Sequence, residues 1–211
     1  WTSARVGARV RGRLGKLLYF DSTRVNLGLF QRDVNVLWDL AVHDLAMMDY
    51  LIPDRRPIAI SATGIAHVTG RPENMAYLTC FYEDNLVAHI HANWLAPVKL
   101  RRTLLGGEKQ MIVYDDLEPS ERVKVYDKGI TVTDEKEIHK LLISYRSGDC
   151  WCPKVPAGEA LDNEVRHFAE CVRNGAKPLS DGTAGLRVVK MIEAGTLSMQ
   201  QRGAPVDLNL R

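Results

Sequence analysis

The sequence predicts an α+β domain: one large, mostly antiparallel open sheet with helices on one face. Three observations predict it. A helical pattern runs early, from Asp33 to Ile52. A series of period-two segments follows from Pro57. Two further helical patterns close the chain from Glu159 onward. The period-two segments are separated by short turn signals, Gly70-Arg71-Pro72, Glu83-Asp84-Asn85 and Ala96-Pro97. Links that short favour antiparallel neighbours, because a parallel crossover needs a dozen or more residues. Strands grouped together and then helices, rather than strict alternation, indicate segregated layers.

At 211 residues the chain can bury one good core, or at most two small ones. Its 45% hydrophobic and 26% charged residues are ordinary for a globular protein. The 28 basic and 26 acidic residues leave a net charge of +2, too balanced to indicate a nucleic-acid or membrane partner. No apolar run is long enough to span a bilayer. Much of the basic excess sits in Arg5, Arg9, Arg11, Arg13 and Lys16, with no hydrophobic segment of the kind a secretory signal carries. The four cysteines, Cys80, Cys150, Cys152 and Cys171, contain no C-x-x-C pair, so a structural zinc site is not indicated. Reduced thiols and a cytoplasmic location are the expectation.

Residues 1–15 have no clean period and two early glycines, and they read as a linker or helix entering from something upstream. The domain proper is expected over 16–211. Leu17 to Val25 is a strand by its aromatic and β-branched content, and Asn26 to Asn35 a polar loop. The helix Asp33 to Ile52 carries Leu37, Leu40, Ala41, Leu45, Met48 and Ile52 at helical spacing, with Asn35 as N-cap and Pro53 as its stop. Strands are expected at Ile58–Val68, Met75–Tyr82, Leu86–Trp94 and Lys99–Leu105. Shorter ones follow at Gln110–Tyr114, Arg122–Tyr126 and Leu141–Tyr145, then a loop from Ser147 to Gly158. The helix Glu159–Asn174 should turn Ala160, Val165, Phe168, Ala169 and Val172 toward a core, with Gly175 ending it. The helix Thr183–Gln201 should do the same with Leu186, Val189, Ile192 and Leu197, and Val206–Leu210 could add an edge strand.

The run RVNLGLFQRDVNVLWDLAVHDLAMMDYL from Arg24 resembles the C-terminal domain of the Gfo/Idh/MocA oxidoreductases. WLAPVKLRRTLLGG from Trp94, YRSGD from Tyr145, EALDNEVRHFAECV from Glu159 and DGTAGLRVVKMIEA from Asp181 resemble later parts of the same domain, in order. The resemblance covers nearly everything from Leu14 on, and its sharpest motif is D-x-x-x-H, here Asp39 and His43. It implies a glyceraldehyde-3-phosphate dehydrogenase-like C-terminal domain. It also implies an NAD- or NADP-dependent dehydrogenase acting on a secondary hydroxyl of a sugar, inositol or sugar nucleotide, and a homo-oligomer joined through the sheet face. Val34 and Asn35 stand where many members have glycines, and Ala46 where many have aspartate, with Asp44 and Asp49 nearby. There is no G-x-G-x-x-G, and the E-K-P motif with its assisting lysine is missing. The cofactor is therefore expected to be held mainly by a separate nucleotide-binding domain, with no cofactor-binding residues in this chain and no activity from it alone. The alternative is a non-catalytic oligomerisation module derived from the family.

The chemistry needs a base for the hydroxyl proton while the cofactor takes the hydride. Histidine suits that role because its ordinary pKa lies near neutrality. An aspartate one helical turn away can orient the imidazole and favour its charged form. The resemblance assigns these roles to His43 and Asp39; a structurally paired core histidine is the plain alternative. Arg24, Asn26, Asp33, Asn35 and Trp38 surround the entry to the helix, where polar groups could grip hydroxyls and an indole could stack on a sugar ring; turn chemistry and capping explain the same residues. Tyr145 and Arg146 are weaker candidates. His89 and His91 share one face of a strand and could begin a metal site, with His67 as a conceivable third ligand, but a polar or interfacial sheet face accounts for them more simply and no metal is assigned. Arg101 and Arg102 read as a solvated or interfacial pair.

Overall fold

The protein is seen in a computed structural model that describes residues 13–28, 31–127, 129–132, 143–146, 148–155 and 158–210. Its strands are β1 (Leu17–Leu27), β2 (Ala59–Ile65), β3 (Met75–Phe81), β4 (Val87–Asn93), β5 (Leu95–Gly107), β6 (Met111–Asp115), β7 (Val123–Tyr126), β8 (Gly129–Val132), β9 (Ile143–Arg146), β10 (Cys150–Trp151) and β11 (Val206–Asp207). Nine of them form one sheet in the order β10-β7-β6-β5-β1-β4-β3-β2-β11, and β8 and β9 pair separately. The α+β expectation holds. Every neighbouring pair in the large sheet is antiparallel except β1 with β4, which run parallel. That pair is parallel because a helix and two strands intervene between them, the long crossover that a parallel register requires.

The early helix, α1, opens with a π-helical turn Leu37–Ala41 and continues as the α-helix Val42–Leu51. Asn35 Oδ1 accepts the Leu37 N–H at 3.1 Å, and the helix stops just before Pro53. The apolar residues expected to face inward do so: Leu37, Leu40, Ala41, Leu45, Met48 and Ile52 are all buried. They rest on the side of the sheet that carries Phe20, Ile60, Ala62, Leu78, Ala88 and Ile90. The other side of the sheet leaves Tyr77, Phe81 and Val87 exposed.

The helix α2 (Ala160–Asn174) has the expected length and ends at Gly175 with φ +61°. Its expected core face is overturned. Val165, Phe168 and Val172 are exposed, and Cys171 is the one buried residue of the helix. The last helix, α3 (Gly182–Gln200), begins at Asp181, whose side chain accepts the Ala184 N–H. It lies on β2 and α1, but of the expected stripe only Ile192 is buried. Leu186, Val189 and Leu197 point outward, while Val188, Met191, Ile192, Ala194, Gly195 and Ser198 are buried. The physical reason is close approach. A Cβ on Gly195 would stand 2.9 Å from Leu78 Cδ1 and 3.2 Å from Leu37 Cδ1, so only the small-residue side of the helix can lie this near the sheet.

Two smaller corrections concern the loop after β7. β8 was not expected, and the Cys-Trp-Cys segment read as loop contributes β10 on the sheet edge. Of the strand expected at Leu141–Tyr145, residues 141–142 lie outside the described residues, and the rest is β9. The expected linker over residues 1–15 lies almost wholly outside them as well.

Candidate active site

Alternate residues of β1 point toward α1, and this places Ser22 and Arg24 beneath it. Asp44 of α1, 1% exposed, receives both: Arg24 Nε donates to Oδ2 at 2.6 Å, Arg24 Nη2 to Oδ1 at 3.3 Å, and Ser22 Oγ to Oδ1 at 2.7 Å. The register of β1 with β5 sets Arg101 beside Arg24 and Thr103 beside Ser22. Arg101 Nη1 reaches Asp116 Oδ2 at 3.2 Å, and Tyr114 donates to Asp116 Oδ1 at 2.8 Å. Burial, together with the bond to Asp116, pushes the Tyr114 phenol up to about 12. For Asp116 burial opposes charge, but the Tyr114 and Arg101 hydrogen bonds outweigh it and hold the carboxyl below its ordinary value. The result is a polar floor of two neutralised pairs, Arg24 with Asp44 and Arg101 with Asp116.

His43 is exposed as a residue, yet its imidazole is partly desolvated among these side chains. Burial lowers its pKa first, and the positive charges of Arg24 and Arg101 lower it further; Asp44 and Asp39 oppose them without prevailing. The ring is thereby biased toward its neutral form. Asp39 favours the charged ring in the expected direction, but not through a hydrogen bond. Among the described residues no hydrogen bond joins Asp39 to His43. Asp39 Oδ2 instead accepts the indole N–H of Trp94 at 2.7 Å. Trp94 is 1% exposed, and a buried indole N–H needs a partner, which this carboxylate supplies. Asp39 is thus fixed in place by Trp94 and is the weakest of the charges acting on His43.

The remaining expected site residues divide. Arg24 is in the cluster but is held by Asp44, so it supports the site rather than reaching for a ligand. Asn35 is buried, with Oδ1 on the Leu37 N–H and Nδ2 donating to Thr196 Oγ1 at 3.4 Å; its polar atoms anchor α1 to α3. Trp38 is half-buried against the core, Asn26 is half-buried, and Asp33 is exposed. The side chains of Tyr145 and Arg146 lie outside the described residues. Asp44, Trp94, Arg101, Tyr114 and Asp116 are the cluster members that were not picked out. Asp44 carried a readable signal: it falls on the same helical stripe as Leu37, Leu40, Ala41 and Met48, and an acid on an apolar stripe asks for a buried partner.

Two concavities lie at the C-terminal end of α1. One, of about 520 Å³, is lined by Arg55, Arg56, Tyr82, Asp84 and Leu210 among others, and neither includes His43. His89 and His91 are on the opposite side of the sheet. There the Tyr77 ring stacks on His91 at 4.4 Å and His89 stands 3.8 Å from Asp21. His67 bonds Asn74 instead, at 2.8 Å. Arg101 and Arg102 do not act as a pair: neighbours on β5 face opposite sides, and Arg102 binds Asp115 at 3.1 Å. The one parallel pair, β1 with β4, is not joined by a glycine loop opening a helix, and the start of α1 is closed by the Asn35 side chain.

The model of the Gfo/Idh/MocA oxidoreductase family's C-terminal alpha/beta domain matches residues 10–208. The chain belongs to this family. Solved structures agree in fold. UDP-N-acetylglucosamine 3-dehydrogenase GnnA from Acidithiobacillus ferrooxidans has a TM-score of 0.71 at 19% identity over 93% of this chain and 58% of its own. Aldose-aldose oxidoreductase from Caulobacter crescentus, complexed with glycerol, has a TM-score of 0.73 at 17% identity over 96% and 59%. The WlbA dehydrogenase from Bordetella pertussis, in complex with NADH and UDP-GlcNAcA, has a TM-score of 0.65 at 14% identity over 98% and 60%. This Gfo/Idh/MocA domain thus spans about three fifths of the length of these relatives. No curated protein matches the chain. No helix among its described residues is long and apolar enough to cross a membrane.

Proposed function

We propose that this domain is the substrate side of an NAD(P)-dependent dehydrogenase that oxidises a secondary hydroxyl of a sugar, inositol or sugar nucleotide. His43 receives the hydroxyl proton, and Asp39 accepts a hydrogen bond from the same or the neighbouring hydroxyl. One observation carries the reading: a solvent-facing histidine biased toward its neutral form stands one turn from a carboxylate that a buried indole holds still. A neutral imidazole is ready to accept a proton at neutral pH. A carboxylate fixed beforehand loses little freedom when it meets a hydroxyl. The charges beneath are paired with each other, so the floor suits an uncharged polyhydroxy group at the reacting end. NAD or NADP is the hydride acceptor that the family resemblance implies, bound mainly by residues outside those described.

The test is a histidine-detected NMR titration of the chain. His43 is expected to titrate below the ordinary histidine value. Added UDP-N-acetylglucosamine or myo-inositol should move the His43 ring and the Trp94 indole N–H together. A ligand that shifts neither, or a His43 midpoint above the ordinary value, removes the proposed site. NADH is expected not to bind this chain tightly; a dissociation constant in the micromolar range would show that the cofactor site is here after all.

The exposed sheet face favours a homo-oligomer as the working assembly, with the domain located in the cytoplasm. If the chain keeps that assembly but binds no polyol, the reading changes to a non-catalytic oligomerisation module.

A further inference from the structure

The larger concavity at the C-terminal end of α1, about 520 Å³, is within the size range of small-molecule pockets. Most of α1 separates it from His43: about nine residues lead from His43 to Ile52, which is roughly 13 Å along the helix axis. Tyr82, the residue after β3, lines it. Tyr82 is 8% exposed, and its hydroxyl has no hydrogen-bond partner among the described residues. A buried phenol ordinarily finds one, so this hydroxyl is left over for something that enters. Burial pushes the phenol well above its ordinary pKa. Cys80 and Asp49 add to the rise, and Arg56 and Arg55 oppose it without prevailing. The hydroxyl therefore keeps its proton and can donate it to an acceptor.

The charges around that phenol do not balance. Arg187 takes both oxygens of Asp49, Nε to Oδ1 at 2.9 Å and Nη2 to Oδ2 at 2.6 Å. Arg56 stands off the same carboxylate at 3.6 Å. Its Nη1 donates instead to the carbonyls of Ile52 at 3.2 Å and Arg55 at 3.0 Å. Arg55 Nη1 is 2.9 Å from Asp84 Oδ2 but lacks hydrogen-bond alignment. Arg55, Arg56 and Arg187 set against Asp49 and Asp84 leave one positive charge over. Asp54 and Glu83 also line the cavity but are exposed, where water and salt screen them. Ile58, Leu208 and Leu210 supply an apolar wall.

We propose that this cavity binds a small organic carboxylate with an apolar body. The carboxylate meets the Tyr82 hydroxyl and the Arg55 and Arg56 guanidinium groups, and the body lies along Ile58, Leu208 and Leu210. One surplus positive charge suits a monoanion. A phosphate ester, carrying close to two negative charges, would leave the cavity with an uncompensated one. The site does not depend on the catalytic reading of His43.

An NMR titration of the whole chain with phenylacetate tests it. The Ile58, Leu208 and Leu210 methyl signals are expected to move, and the His43 ring is not. Tyr82→Phe keeps the ring and removes only the hydroxyl, so it should weaken binding about tenfold. Arg56→Gln, which removes the surplus charge, should also weaken it about tenfold. Glu83→Gln at the rim should leave the affinity within about threefold. Neutral phenylacetamide and inorganic phosphate should each bind about tenfold more weakly than phenylacetate, the first for want of charge and the second for want of an apolar body. If Arg56→Gln disturbs the end of α1 by freeing its carbonyls, Tyr82→Phe decides alone. The proposal is overturned by no phenylacetate binding up to about 50 mM, by shifts at the His43 ring in place of the three methyl groups, or by an unchanged affinity in Tyr82→Phe. Phenylacetamide or phosphate binding as tightly as phenylacetate overturns it too.

Discussion

Asp44 shows how much one side chain can hold. It is 1% exposed and takes every strong donor beneath α1, Arg24 and Ser22 alike. A buried ion pair adds little net stability over a well-packed apolar pair, but breaking it strands a charge. Asp44→Ala should therefore cost about 3–5 kcal/mol, because Arg24, 8% exposed, is left without its counter-charge. Urea unfolding measures this. Ser22→Ala should cost less, about 1.5–3 kcal/mol, the value of one hydrogen bond to a charged group, since Arg24 and Asp44 stay paired. Comparable losses in the two variants would mean that the cost comes from packing. The same carboxylate acts on His43, where it raises the pKa against the larger effects of burial and Arg24. In Asp44→Asn the His43 midpoint should move further down if the fold survives, and an unchanged midpoint would show that the two do not interact.

At the scale of elements, α3 is held to the sheet by a hydroxyl as much as by its apolar face. Ser198 is fully buried; its Oγ accepts the Ala62 N–H of β2 at 2.8 Å and donates to Ala204 O at 2.7 Å. Ser198→Ala leaves a buried amide without its acceptor and should cost about 1–3 kcal/mol, read as a lower urea midpoint with an unchanged slope. A Gly195→Ala variant pushes only against the tips of Leu78 and Leu37, and its expected cost is smaller. These two residues also explain why the sequence misled about α3. The large apolar residues Leu186, Val189 and Leu197 make a visible helical stripe, but α3 turns its glycine and serine to the sheet because those permit the closest approach. The strands from Ile58 to Leu105 and α1 were legible because alternation and a strict apolar period report directly on which side is buried; that β1 comes between β4 and β5, despite the short link at Ala96-Pro97, was not. The Asp39–His43 spacing was legible too, but not that Asp39 is taken by Trp94: a contact between a helix and the end of a strand so far along the chain depends on register, which local pattern does not encode.

At the scale of the molecule, α1 and α3 lie on one side of the sheet, and the other side leaves large apolar side chains exposed. Nine strands at ~4.8 Å spacing make a surface on the order of 40 Å across. Its exposed side shows Tyr77 at 40%, Phe81 at 39% and Val87 at 39% exposure, with His89 and His91 among them. A face of that extent can supply the ~800 Å² per partner of a standard interface, so a sheet-to-sheet dimer is expected, and Val87→Lys should dissociate it by placing a charge in the contact. The dimer should also respond to pH. Burial lowers the pKa of His91 first, and the neighbouring His89 lowers it further, with Asp21 opposing. His91 Nε2 is buried with no hydrogen-bond partner, so a proton there has nothing to receive it. Tyr77 stacks on both rings, while Arg102 and Asp115 on the same side already pair with each other. Covering this face removes still more water from His91, so its pKa falls further in the dimer than in the monomer. A pKa that drops on association means that the separated chains bind more protons. Association is then at full strength above the His91 pKa of the separated chain, itself below the ordinary histidine value, and weakens as pH falls through that lowered pKa. Sedimentation equilibrium at pH near 8 and near 5.5 should show a dimer that loosens in acid, with the difference reduced in His91→Gln. A dimer equally tight at both values would place His91 outside the contact, and a monomer at both would remove the sheet face as the site of assembly.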